Sequence, residues 1–540
     1  MDTIARGITR AADGTQPPAT LWRPLRTPIF RNLLIADVVS DAGTFIQGVG
    51  AAWLMVSLGA GPVYVALIQT AATLPFFLFA LPAGAVGDII DRRKLILVTE
   101  TWMVCAAIAL AAATLTGVIT PLILLVLTFA LAAGDAIEAP SWRAVLPESV
   151  PKEDLPAVAA LNGVEFNIAR AVGPAVAGVL IATAGVGATF MVNVLSFGGV
   201  ILAVARWKRP VQRRTAPRET FRGATVAAIR YVRFAPALRA LVLRSGVVMF
   251  FASASFALLP TLAHGIGHNA MGYGFLLGSF GVGAIGGALL LQPVRARWST
   301  EAVASSAVAV LGAAIVATGL MRTLAGLIVV MLASGAAWIV FFSIGNVLAQ
   351  TLAPDWVRAR VLAIFMLLTQ GGLAAGSALW GIVAARAGVE TTLLWAGVGT
   401  IATIALGLVA RLPRSTGDMS SWNHWPMPVI AREAAPRPQH GPVLVTLEYS
   451  IAPHNAKDFL RAIRRYGRVR RRDGARSWGI FRDIERADVY VESFLVSSWA
   501  EHLRQHERAT RADRHLAIAL HRYACGKPRV RHLIHVQAER

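Results

Sequence analysis

Between Leu33 and Leu412 the chain alternates long apolar runs with short polar connections. A helix rises about 1.5 Å per residue, so roughly 20 apolar residues cross a hydrocarbon core about 30 Å thick. Runs of that length predict spanning helices at Leu33–Leu58, Pro62–Val86, Leu95–Gly117, Pro121–Val145, Leu155–Gly185 and Thr189–Arg206. A second set is predicted at Leu238–Ala263, Tyr273–Val294, Val303–Met321, Leu324–Leu352, Val361–Ala385 and Thr391–Leu412. The basic, Pro-containing stretch between the sets divides them into two six-helix bundles, residues 29–206 and 236–412, joined by a basic loop at 207–235.

After the last run the period changes. A polar linker, 413–440, carries Trp422 and Trp425, residues suited to the lipid interface. Val443, Val445, Leu447 and Tyr449 then alternate with Leu444, Thr446, Glu448 and Ser450, the period of a two-faced strand. Ala456, Phe459, Leu460 and Ile463 form one stripe of an amphipathic helix. Strands at Trp478–Asp483 and Val489–Val496, a helix from Trp499 and a strand around Val530–Val536 complete a β-α-β-β-α-β order over 441–540. That order is ferredoxin-like. The expected fold is therefore an all-α polytopic membrane protein of about twelve helices with a small α+β ferredoxin-like domain.

Loop charge sets the expected orientation, since Lys and Arg are retained on the cytoplasmic side. Arg92, Arg93, Lys94, Arg143 and Lys152 fall on one side, with the central cluster from Arg206 to Arg233 and then Arg295, Arg297, Arg358 and Arg360. The opposite loops hold few basic residues, Arg322 and Arg386 being exceptions. Both termini are expected in the cytoplasm of a multi-pass inner-membrane protein. Residues 1–28 are polar, with Arg6, Arg10, Arg23 and Arg26 and no apolar stretch like that of a cleavable leader, so the first span is expected to serve as the insertion signal.

Composition agrees with lipid as the solvent: 55% of residues are hydrophobic and 15% charged, and the mean hydropathy is +0.57. The net charge of +22 does not point to nucleic acid, because the basic residues sit in loops and tail without an aromatic-flanked platform. Cys105 and Cys525 lie far apart and form no ligand or disulfide pattern.

A faint repeat relates the halves. Pro151-Lys-Glu-Asp-Leu precedes the fifth span and Pro354-Asp-Trp-Val the eleventh, an offset of 203 positions (354 minus 151). Each is followed by a run of small residues, Gly173-Pro-Ala-Val-Ala-Gly178 and Gly371-Gly-Leu-Ala-Ala-Gly376, which lets helices approach closely.

Between the second and third spans stands Gly84-Ala-Val-Gly-Asp88-Ile-Ile-Asp91-Arg92-Arg93-Lys94. Asp88 lies where the second span meets the cytoplasmic interface, able to accept from Arg92 or a helix N-terminus in one conformation and to release in another. The segment resembles the loop signature of the major facilitator superfamily at Gly84, Asp88, Arg92 and Arg93. Asp91 stands where a Gly is commoner, as in the siderophore- and macrolide-exporting branch that resembles the enterobactin exporter. Pro140, Pro147, Asn162, Asn167, Arg170, Gly173-Pro174, Gly178 and Pro354-Asp-Trp-Val-Arg-Ala-Arg360 extend the likeness over nearly the whole membrane part, and a ferredoxin-like tail recurs among these relatives. The resemblance implies two rocking bundles, a gate at this loop and a small-molecule substrate.

Ionisable groups inside spans are costly and usually face a cavity or a partner. Asp37 and Asp41 share a face of the first helix, Asp135 and Glu138 a face of the fourth, and Glu165 and Arg170 lie in the fifth. The second half has almost none, which places the expected proton site, Asp41, Asp135, Glu138 and Glu165, in the first bundle. Arg170 is expected to neutralise a carboxylate or to pair with an anionic substrate. Glu100, near the start of the third span, reads as interfacial. Gln47, Asn167, Asn346 and Gln370 are candidates for a midplane cavity, as are Trp53, Asn193 and Trp380. No phosphate loop is present, so an ion gradient is the expected energy source.

In the tail, His502 and His506 stand at the (i, i+4) spacing of metal or haem ligands, yet no third ligand is evident and a solvated helix face is the simpler expectation. The Arg464–Arg472 cluster suits anionic lipid or a partner. The tail resembles dimeric ferredoxin-like domains, some of them small monooxygenases, so self-association is expected of it. The sequence therefore reads as a proton-coupled exporter of a hydrophobic or amphipathic small molecule, such as a siderophore, macrolide or other secondary metabolite. Its expected partners are substrate, protons and membrane lipid, with no cofactor, no metal and no enzymatic role. The alternatives are an importer of the same fold and a membrane-anchored ferredoxin-like enzyme or sensor.

Overall fold

The structure, a computed structural model, describes residues 21–207, 221–413, 417–420, 422 and 436–535. Within those stretches the side chains of residues 80, 81, 84–89, 152, 221, 222, 224 and 409 lie outside the description. Arg6, Arg10, most of the central basic cluster and Trp425 also lie outside the described residues.

The first six long helices are α1 (Pro28–Ser57), α2 (Pro62–Ile89), α3 (Arg92–Leu115), α4 (Pro121–Glu148), α5 (Leu155–Ala184) and α6 (Val186–Arg206). After α7 (Phe221–Phe234) come α8 (Pro236–Gly265), α9 (Ala270–Arg297), α10 (Thr300–Leu320), α11 (Leu324–Thr351), α12 (Arg358–Ala387) and α13 (Val389–Ala402). A short helical extension, Leu406–Val409, continues α13. Twelve of the described helices are long and apolar enough to cross a membrane. Local chemistry sets their ends: Asp91, Thr120, Asn269, Ser299 and Thr323 accept from backbone N–H groups at the starts of α3, α4, α9, α10 and α11. Such caps satisfy donors that a helix start leaves free.

The repeat has a structural counterpart. Gly185 alone separates α5 from α6 and Gly388 alone separates α12 from α13, with φ of 79° and 84°. Both conformations belong to glycine. Their spacing equals that of Pro151 and Pro354. Across the interface of the two sets, α5 packs on α9 and α12 on α2, so the fifth helix of each set meets the second helix of the other. Small residues permit this closeness: a Cβ on Gly274 would lie 2.6 Å from the carbonyl oxygen of Pro174 and 2.9 Å from the Cα of Gly178.

The expected basic loop at 207–235 is in part a helix, α7, whose apolar stripe buries Ala228, Tyr231 and Val232 against α8 and α12. Its amphipathic pattern is too short and too charged to read as a span.

The tail comprises β1 (Val443–Ser450), α14 (Ala456–Asp473), β2 (Ser477–Arg482), β3 (Val489–Val496), α15 (Trp499–Arg508), α16 (Arg511–His521) and β4 (Arg529–Ile534). The strands form one antiparallel sheet in the order β2-β3-β1-β4, with Val445 opposite Phe494 and His532. The element order is the expected one, except that the second helix is divided where a capping box at Thr510 and Asp513 starts α16. Val443, Val445, Leu447 and Tyr449 are buried with Phe459, Ile463 and Phe494 as the tail's core.

Three tail expectations are corrected. Arg470 and Arg472 are buried: Arg470 pairs with Glu492 at 3.2 Å, and Arg472 with Asp473 at 2.8 Å and Asp513 at 2.7 Å. Long side chains at the helix end turned inward to carboxylates, which linear spacing does not reveal. His502 is likewise 1% exposed, its ring against Trp499, His506 and His532, with 3.3 Å between the Nε2 atoms of His502 and His506. Trp422 packs on the tail under Arg514 rather than facing lipid, and its backbone N–H donates to the carbonyl of Ala509.

Candidate functional site

A cavity of about 2250 Å³ lies between the two six-helix sets. Asp41, Asp135, Glu138, Glu165 and Arg170 all line it, as do Gln47, Asn167, Asn346 and Gln370. The carboxyls are gathered by helix period: α1 brings Asp37 and Asp41, α4 brings Asp135 and Glu138, and α5 brings Glu165 one turn from Arg170. One wall is therefore acidic. The second set's side of the lining is aromatic, with Phe256, Phe280 and Trp338 in mutual ring contact and Tyr273 and Phe342 also in the lining.

Glu100 is not interfacial. It is 2% exposed and its carboxyl faces that of Glu138, which also accepts the hydroxyl of Thr99 at 2.5 Å. Nearness to a helix end does not expose this residue, because α3 turns this side toward α4.

Arg170 forms no ion pair with a carboxylate among the described residues. Its guanidinium lies over the rings of Phe280 and Trp338, 5.0 Å and 5.9 Å from their centroids. A cation from α5 thus reaches across the cavity to α9 and α11. One Oε of Glu165 is buried without a hydrogen-bond partner among the described residues.

The amides divide between cavity and scaffold. Asn193 donates to Gln47 at 2.5 Å and accepts from Ser196 at 2.9 Å, tying α1 to α6. Asn167 donates to the carbonyl of Gly163, and Asn346 accepts from Gln350 at 2.6 Å. Trp380 donates to the carbonyl of Phe250 at 3.0 Å within the second set and does not line the cavity. Trp53 stacks on Tyr273 with centroids 6.1 Å apart and meets His264 edge-on, joining α1 to α8 and α9 at the end remote from the basic loops.

The opposite end is lined by Arg92, Arg143, Thr225, Ala228, Asp355, Trp356 and Arg360, so the cavity reaches the basic-loop end. There Arg92 pairs with Glu148 at the end of α4, and Arg93 donates to the carbonyls of Val204 and Ala205 at the end of α6. These contacts suit cations at helix C-termini. Gly84 and Asp88 lie at the same end of α2, their side chains outside the description.

Sequence reasoning missed one buried ion pair in the second set. Arg244 meets Glu301 through two hydrogen bonds of 2.9 Å, and the carbonyl of Ala410 and the N–H of Leu412 join them. Arg244 lay within a predicted span and was the available signal.

Residues 19–540 match the transmembrane secretion effector family. The chain belongs to that family, and its fold is that of the major facilitators. It is 26% identical over 398 residues to the multidrug efflux pump Tap of Mycolicibacterium fortuitum, covering 71% of this chain and 95% of that pump. It is 25% identical over 157 residues to the staphyloferrin A transporter of Staphylococcus aureus, a match to 29% of this chain and 39% of the relative. A variant of the nucleoside transporter NupG superposes with a TM-score of 0.60 at 12% identity, covering 71% of this chain and all of the other. The family and its fold make this chain a membrane-embedded transporter acting on a small molecule.

Proposed function

We propose that the chain is a proton-coupled exporter of an amphipathic small molecule, a drug or siderophore among the candidates, working by alternating access from the cytoplasmic membrane. The observation that carries this reading is the set of carboxyls on one wall of the cavity, opposite an aromatic wall. Removing a carboxyl from water favours its neutral form, and exposure to each compartment in turn lets it take a proton outside and release it inside. Asp41, Asp135, Glu138 and Glu165 are the proton-carrying groups, with Glu100 as the partner of Glu138. Phe280, Trp338 and Phe342 provide apolar surface for the substrate, and Arg170 supplies a positive charge between the two walls.

The positive-inside rule places the basic-loop end and both termini in the cytoplasm. The cavity then opens inward, the Trp53–Tyr273 stack closes the outer end, and the loop of Gly84, Asp88, Arg92 and Arg93 is the inner gate. The efflux and siderophore relatives support outward transport of such compounds.

The test compares metabolites in the medium of cells carrying the intact chain, the Asp135→Asn variant and no chain. Compounds that depend on the chain are expected to vanish from the medium with Asp135→Asn and with a protonophore. Undiminished export by Asp135→Asn would remove that carboxyl from the mechanism.

A further inference from the structure

The tail grips the second six-helix set at the mouth of the cavity. Arg230 of α7 pairs with Glu501 of α15 at 2.9 Å and donates to the carbonyl of Arg472 at 3.3 Å. Arg472 lies over the ring of Tyr231, its guanidinium carbon 5.0 Å from the centroid, and Arg508 lies over Trp356 at 4.5 Å. Tyr231 and Trp356 meet edge-on at 5.6 Å, so the four side chains form one continuous stack.

On the tail side the stack is fixed beforehand. Arg508 donates to Glu501 at 2.7 Å and to the carbonyl of Asp473 at 2.9 Å, while Asp473 and Asp513 hold Arg472. On the membrane side Tyr231 is buried in the core of the second set, with Trp356 packed against the same core. The indole N–H of Trp356 is buried without a hydrogen-bond partner among the described residues, and ring contacts hold it in place.

Position gives the contact its consequence. Trp356 lines the cavity beside Asp355, Ala359 and Arg360, and α7 lines it through Thr225 and Ala228. The segment containing α7 is also the covalent connection between the two sets. The tail thus contacts both one rim of the mouth and α7, which belongs to the connection between the bundles.

We propose that the docked tail is a latch that holds the basic-loop mouth open, and that release of Arg472 and Arg508 from Tyr231 and Trp356 accompanies its closure. This rests on the alternating-access reading. Closure brings Arg92 and Arg143 of the first set toward the Asp355–Arg360 rim, and a clamped rim and linker resist that approach. The contacts are two cation–π pairs, one part-buried ion pair and one hydrogen bond, each individually modest, so the latch is reversible.

The experiment is pulsed electron paramagnetic resonance on the full chain in lipid nanodiscs, with Cys105→Ser and Cys525→Ser and spin labels on Lys94→Cys and Arg297→Cys. Both label sites are exposed, at the basic-loop ends of the first and second sets. Arg230→Gln combined with Trp356→Ala is expected to raise the population at short distances roughly threefold or more, and Trp356→Phe to preserve the original distribution. Hydrogen exchange over residues 443–534 verifies that the tail stays folded, and a chain ending at residue 436 serves as a second variant. A distribution unchanged in both the double variant and the truncated chain would overturn the latch. The measurement needs no substrate: a shift without chain-dependent export would sink the export reading alone, whereas export with an unchanged distribution would sink the latch alone.

Discussion

Glu100, Glu138 and His502 are ionisable side chains that the fold has taken out of water, and each responds through its neighbours. In the tail, burial, then His506 and His532, push the His502 imidazole down to about 3 from an ordinary 6.5. Because the folded value lies below the unfolded one, this neutral imidazole adds full stability only above about pH 6.5, and the contribution disappears as pH falls toward 3. Protection against hydrogen exchange over residues 443–534, taken relative to the intrinsic amide rate at each pH, should therefore be lower at pH 5 than at pH 7, and His502→Phe should shrink that difference; an identical pH response in both chains would contradict it. Glu501 differs in sign: burial pushes its carboxyl up, but Arg508 and then Arg230 overcome this and leave it below the ordinary carboxylate range. It supports the folded, docked tail at neutral pH, and that support is lost in acid. The cavity acids were legible because a charge inside an apolar run stands out against lipid. The burial of His502, Arg470 and Arg472 was not, because their partners His532, Glu492 and Asp513 come from other elements of the tail.

Among the elements, the fifth and sixth helices of each set turn on a single glycine. A side chain at Gly388 would have to adopt φ of 84°, outside the regions open to ordinary residues. Gly388→Ala should cost about 1–3 kcal/mol in stability, read as a lower melting temperature of the purified protein. Gly61→Ala, where an added Cβ meets nothing within 4 Å, is the control and should leave the melting temperature unchanged; equal effects at the two sites would contradict the backbone argument. Spans were legible because lipid imposes a length and an apolar composition on each. The helix α7 was not, since its 14 residues are amphipathic and gain their helical form by packing Tyr231 and Val232 on the second set. Register between helices was legible only at the small-residue runs of α5 and α12.

For the whole molecule, the two sets enclose a cavity that reaches the basic-loop end, while the Trp53–Tyr273 stack joins them at the other. The first set supplies nearly all of the cavity's carboxyls while both sets supply aromatic surface, and the first of these features is visible in the sequence as an asymmetry of charge. What the sequence did not show is that the tail belongs to the same machine, because its grip depends on guanidinium faces meeting Tyr231 and Trp356 across long separations in the chain. The claim on which the rest depends is that protons held by the cavity carboxyls drive the substrate outward. Its most direct test is uptake into inverted membrane vesicles of a compound identified by the metabolite comparison, with an imposed proton gradient. The intact chain should accumulate the compound in proportion to the gradient, and a chain carrying Asp41→Asn, Asp135→Asn and Glu165→Gln should bind it without accumulating it; undiminished gradient-driven accumulation by that triple variant would contradict the account.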